Sequence, residues 1–189
     1  LRVDARDFES VKAFVMYGQD KFGSIDAVVS LPGSLILKPA HKCTDQEFTS
    51  TIETNLKSAF AVVRSVGELL ENCSVVLMST AAASIGLANH ELIACAKAGI
   101  EGLTRSAAKT YAKKNIRFNT VSPGLVDTQL TKNITKNQLA LKASERMHAL
   151  QRIGKPKNIS NMIRFLIDPE NDWITGQNFI VDGGLSSTK

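Results

Sequence analysis

The sequence predicts an α/β fold built on a parallel sheet, in a single domain. Two observations carry this expectation. Strand-like runs alternate with helix-like segments from end to end. No internal repeat, linker or low-complexity tract interrupts the 189 residues, a length sufficient for one domain with a real core.

Taken in order, Asp7 caps a helix whose Phe8, Val11, Phe14 and Val15 recur at helical spacing, and Gly23 ends it. Asp26–Ser30 reads as a short buried strand. A loop with Pro32, Gly33 and Pro39 follows. Thr44-Asp-Gln-Glu47 is a capping box, and the long helix after it is expected to bury Phe48, Ile52, Leu56, Phe60 and Val63. Cys73–Ser79 is a second strand. Asn89 is expected to cap a helix reaching about Lys114, with Ala94, Ala98 and Gly102 on one small-residue face. Asn115–Val121 is a third strand and ends at Ser122-Pro123-Gly124. The stretch Lys132–Lys157 is basic and reads as a mobile helical flap. A short helix at Ile159–Leu166 and a last strand at Asn178–Val181 complete the chain.

Composition excludes several classes of function. The hydrophobic share of 43% and charged share of 22% are those of an ordinary water-soluble domain. A net charge of +5, dispersed along the chain, gives no footprint for nucleic acid. No apolar run approaches the ~20 residues needed to cross a bilayer. Cys43, Cys73 and Cys95 have no metal-ligand spacing, and their odd number argues against a disulfide framework. No metal site is expected, and a reducing cytoplasmic setting is the simplest reading. Sequons at Asn72, Asn133 and Asn158 match by pattern only.

The chemistry is concentrated in Ser79-Thr80-Ala-Ala-Ala-Ser-Ile-Gly-Leu-Ala-Asn-His90-Glu-Leu-Ile93-Ala-Cys-Ala-Lys97. This segment resembles the active-site segment of the short-chain dehydrogenase/reductase family. That family places a tyrosine thirteen residues after a serine, and a lysine four residues after the tyrosine. Here Lys97 stands at the lysine position, Thr80 at the serine position and Ile93 at the tyrosine position. Further motifs in register extend the resemblance over essentially the whole chain. Asp4 matches the acidic residue that meets the adenine amino group. Ser30-Leu-Pro32-Gly33 replaces Asn-Asn-Ala-Gly, and Pro32 removes an amide donor there. Asn55 matches the helix asparagine that holds a water beside the lysine. Pro123-Gly124-Leu-Val-Asp-Thr128, in register with Asn119, matches the loop over nicotinamide, with Gly124 permitting a tight turn and Thr128 reaching the cofactor. The C-terminal Ile174–Gly184 segment matches a strand and turn used in subunit packing.

The resemblance implies a Rossmann-like doubly wound sheet that binds NAD or NADP and acts on a carbonyl or alcohol. Asn55, Thr80 and Lys97 are then the catalytic positions, and Asp4, Gly33, Lys97, Pro123, Gly124 and Thr128 the cofactor positions. It also implies that two strands, a glycine-rich loop and two helices precede Leu1. Without the first of those strands the Asp26–Ser30 strand would expose a flat apolar edge. Tyrosine has an intrinsic pKa of ~10 and needs a nearby cation to work near neutral pH. A lysine four residues on supplies it from the same helix face. Ile93 has no proton to give, so the expectation is an impaired enzyme or, alternatively, a non-catalytic homologue serving in binding or assembly. Histidine is the side chain suited to proton exchange near neutral pH, but His90 reads as a surface residue at a helix start. The basic flap suits an anionic or carrier-bound substrate, or is simply a solvated face. Phe60, Val63 and Val66, with Ala94, Ala98, Gly102 and Ala108, are expected to form a self-complementary face for a homodimer or homotetramer.

Overall fold

The computed structural model describes residues 1–188. Its four strands form one parallel sheet in the order β1 (Ala27–Val29), β2 (Ser74–Met78), β3 (Arg117–Pro123), β4 (Asn178–Val181). The helices are α1 (Phe8–Phe22), α2 (Asp45–Ile52), α3 (Ser58–Leu69), α4 (Glu91–Thr110), α5 (Lys132–Thr135), α6 (Gln138–Met147) and α7 (Pro156–Ile167). No helix among the described residues is long and apolar enough to cross a membrane.

Alternation along the strands sorts the core into two layers. Val75 and Leu77 of β2 and Phe118 of β3 face one layer, where α1, α3 and α4 contribute Val11, Val15, Val62, Val66 and Ile100. Val76 and Val121 face the other, against Ile159 and Leu166 of α7. Tyr111 lies against Phe118 with ring centroids 5.7 Å apart. Gly67 is the residue that admits this tyrosine, since a Cβ there would fall 2.3 Å from its ring.

The local signals at both ends of α1 and at the start of α2 are realised. The Asp7 carboxylate accepts from the Glu9 and Ser10 amides. Gly23 closes α1 at φ 80°, and both halves of the Thr44–Glu47 capping box form. The apolar phase of the long helix is not as expected. Phe48 and Phe60 are about half exposed, while Thr51, Asn55 and Ser58 are buried. A π-turn at Glu53–Lys57 joins α2 to α3 and changes the helical phase within the helix. Phe14 of α1 is also about half exposed, and only Val11 and Val15 of that helix are buried. Asn89 does not cap α4: it sits at φ 65°, and the cap position is His90, with no side-chain cap bond. A left-handed Asn115 turns the chain after a 3-10 turn at Ala112–Lys114, so β3 begins at Arg117 rather than at 115.

Candidate active site

Three loops leave the C-terminal ends of adjacent parallel strands and meet at one edge of the sheet, the usual place for ligands in open α/β sheets. They are Ser30–Ser34 after β1, Ser79–Ser84 after β2 and Pro123–Thr128 after β3. Asn55 reaches this edge from the π-turn, a feature frequent at functional sites. Its Nδ2 donates to Ser34 Oγ (3.0 Å) and Thr51 O (2.9 Å), and its Oδ1 accepts from the Ser34 amide (3.3 Å). Asn55 therefore holds the first loop directly.

Lys97 enters the same place from α4. Its residue is 8% exposed, and Nζ donates to Met78 O at 2.9 Å. None of the ion pairs among the described residues involves it. Burial alone pushes the amine down from 10.5 to about 8. Unfolded chains therefore hold more protons than folded ones between about pH 8 and 10.5. In that window this group should make the unfolding free energy rise with pH. Below pH 8 the full cost of burying the charge is present, about 3 kcal/mol at 1.36 kcal/mol per unit. Chemical denaturation from pH 7 to 10.5 should show this rise, and Lys97→Met should flatten it.

Around Lys97 the chain is apolar or committed elsewhere. Ile93, one turn earlier, is 3% exposed. Thr80 Oγ1 accepts from the Ala82 amide (3.3 Å) and lies 3.5 Å from Pro123 O, so it caps the short turn Ala81–Ala83 and touches the third loop. His90 is half-exposed, with Nδ1 2.8 Å from Ala88 O in its own loop. Glu101, one turn after Lys97, accepts from Ser79 Oγ at 2.8 Å and lies 3.5 Å from Ser122 Oγ, which donates to Asn178 Oδ1. One carboxylate thus ties the ends of β2 and β3, from which Thr80 and Gly124 depart.

The third loop is packed from behind. A Cβ on Gly124 would fall 2.8 Å from His148 Nε2 and 3.0 Å from Asp182 Cα. Close approach, not a tight turn at positive φ, is what calls for glycine there. His148 is buried; Nδ1 donates to Ser144 O (2.7 Å) and Nε2 accepts from the Leu125 amide (3.3 Å). Gly154 bonds Leu125 O and accepts from the Asp127 amide. The flap is thus two helices, α5 and α6, followed by a segment fastened to the third loop. Thr128 caps the turn Gln129–Thr131, its amide donating to Thr131 Oγ1.

With this geometry in view, the comparisons with known proteins place the chain. The family model described as enoyl-(acyl carrier protein) reductase matches residues 1–186. The chain belongs to the short-chain dehydrogenase/reductase family. A tropinone reductase homologue of Arabidopsis thaliana is 33% identical over 87% of the chain, which spans 62% of that protein's length. A second, chloroplastic homologue from the same plant is spanned over 52% of its length. The 3-oxoacyl-(acyl-carrier-protein) reductase of Vibrio harveyi is 30% identical over 98% of the chain, covering 76% of that enzyme. Among solved structures, the aldohexose dehydrogenase of Thermoplasma acidophilum in ligand-free form superposes with a TM-score of 0.91 at 27% identity, over 100% of this chain and 78% of that one. ElxO with NADP bound gives 0.91 at 26%, with the same coverage.

Within this short-chain dehydrogenase/reductase frame, the structure gathers Gly33, Asn55 and Lys97, since a Cβ on Gly33 would fall 3.4 Å from Asn55 Oδ1 and 3.8 Å from Lys97 Nζ, and it joins Thr80 to Pro123. Asp4 is engaged locally: Arg6 binds its carboxylate at 2.9 Å and holds its pKa down at about 2, beside the start of α1. Sequence reasoning missed Ser34, Glu101 and His148. Glu101 carried a signal, standing four residues after Lys97 on the same helix face. His148 carried none, because its partners are distant in sequence.

Proposed function

We propose that the chain forms the catalytic edge of a nicotinamide-dependent oxidoreductase for carbonyl or alcohol substrates, impaired in proton transfer. The observation that carries this reading is Ile93, buried one helical turn before a buried Lys97 that has Gly33 and Asn55 beside it. Lys97 would bond the nicotinamide ribose, Gly33 and Gly124 would let the backbone approach the cofactor, and Thr80 and Thr128 would offer hydroxyls to substrate and cofactor. Asp4 would meet the adenine. A bound nicotinamide would supply hydride; these residues would orient it and, with Ile93 in place of a phenol, would leave the accompanying proton to solvent. The NADP bound to ElxO supports a nicotinamide dinucleotide, NAD or NADP.

Exposed Lys136, Lys142, Arg146, Arg152 and Lys155 on the flap suit an anionic or carrier-bound substrate, in keeping with relatives named for acyl-carrier-protein substrates. Cytoplasmic residence fits the three free cysteines. The small face of α4 at Ala94, Ala98 and Gly102 supports a homodimer or homotetramer. Val63, Val66 and Ala108 do not belong to that face, because they lie in the core.

The second reading, a non-catalytic binding or assembly subunit, is favoured by two observations. Pro32 sits in the first loop, and Thr80 Oγ1 is committed to capping its own turn. A nucleotide titration tests the main reading. The natural protein carrying these residues should bind NADH or NADPH at micromolar concentration. Gly33→Val should weaken binding at least tenfold, with far-UV circular dichroism unchanged. Absent binding, or binding indifferent to Gly33→Val, would refute the site.

A further inference from the structure

We infer that His148 is a positioning residue: its unprotonated Nε2 holds the Leu125 amide and so sets the third loop against the end of the flap. It stands behind the loop and acts through Leu125 and Gly124.

The ring is fixed at both nitrogens. His148 is 3% exposed and stands at the C-terminal cap of α6. Ser144 O, 2.7 Å from Nδ1, can only accept, so the ring proton sits on Nδ1. Nε2 then keeps its lone pair, and the Leu125 amide donates to it at 3.3 Å. Both bonds thus require the same tautomer. Asp182, which flanks Gly124 together with the ring, is engaged elsewhere. Its carboxylate accepts from the Gly184 and Ser186 amides and from Ser186 Oγ.

Leu125 is held on both sides of its backbone. His148 takes its amide, and the Gly154 amide donates to its carbonyl at 2.8 Å. The ring also lies directly on Gly124, where a Cβ would fall 2.8 Å from Nε2. Two residues after the ring, the Leu150 amide donates to Gly183 O at 3.1 Å, so this segment is wedged between the loop and the turn after β4. An apolar side chain at 148 could fill the space but would leave the Leu125 amide without its acceptor. A ring protonated at Nε2 would set donor against donor. Hydrogen bonding, and not bulk alone, is what the position calls for. Gly124 and Thr128 lie on the loop, and α6 carries Lys142 and Arg146. His148 therefore links the positions proposed for cofactor to those proposed for an anionic substrate, a consequence that rests on the oxidoreductase reading above.

Two substitutions in the natural protein, each copying one end of the imidazole, test the inference. Asparagine places its amide near Nδ1 and can still donate to Ser144 O; glutamine reaches the Nε2 position and can accept from Leu125. Amide hydrogen exchange is followed by NMR. His148→Asn should speed exchange of the Leu125 amide at least tenfold relative to amides of β2 and β3, and His148→Gln should leave it within about threefold. In the unmodified protein, nitrogen NMR of the ring should show the proton on Nδ1 and a coupling across the bond between the Leu125 nitrogen and Nε2. Equal exchange in the two variants, or a proton on Nε2, would overturn the inference. The ring measurement decides even if His148→Asn fails to fold. In an NADPH titration, Kd should rise at least fivefold in His148→Asn and less than twofold in His148→Gln. Binding indifferent to His148→Asn would overturn the positioning role. No binding by the unmodified protein would count against the oxidoreductase reading alone, because exchange and tautomer are read without nucleotide.

Discussion

Ile93→Tyr, made in the natural protein, is expected to raise NAD(P)H-dependent carbonyl reduction by about 10²–10⁴, the usual contribution of a positioned proton donor. Position 93 lies one turn before Lys97, so a phenol there would share its helix face. The Lys97 ammonium would lower the phenol's pKa from ~10, and a phenolate would in turn favour the charged amine. The remaining groups stand in place: Thr80 beside Pro123, and Asn55 fastening the first loop. Turnover with a panel of ketones, followed at 340 nm, measures the effect. Turnover still at background while nucleotide binds would mean that more than the proton donor has been lost.

The largest loss of stability is expected from Phe118→Ala. Phe118 is fully buried at the centre of the sheet, with Tyr111 on its ring and Val75 and Leu77 on the neighbouring strand. Truncation removes a whole phenyl ring from a packed core and leaves a cavity, at a cost of about 3–5 kcal/mol. Tyr111 offers little relief, because it is already seated against Gly67. Urea denaturation should show the midpoint falling with an unchanged slope. A loss below about 1 kcal/mol would mean that the layer collapses freely around the cavity.

What the sequence revealed follows from the range of the forces involved. Strand and helix alternation, the Asp7 cap, the Thr44–Glu47 box and the Gly23 stop are local, and each appears in the structure. The buried face of the long helix is not local: periodicity assumes an unbroken helix, and the π-turn around Asn55 breaks it. Asn89 looked like a cap because asparagine suits caps, but it suits the left-handed region equally. At the site, the spacing of Thr80, Ile93 and Lys97 was legible because one helix and its preceding loop carry all three. The clamp of Glu101 on two strand ends and the seat of His148 behind Gly124 depend on contacts across the sheet. No short window of sequence contains them.

The central claim is that proton delivery is the step this site lacks, and chemical rescue tests it most directly. Steady-state carbonyl reduction is measured in the natural protein as imidazole or phenol is added at constant ionic strength and pH. The account predicts slow turnover that rises in proportion to the added acid, and an Ile93→Tyr variant that is faster and indifferent to it. Ordinary turnover without added acid, insensitive to imidazole and abolished by His90→Ala, would contradict it.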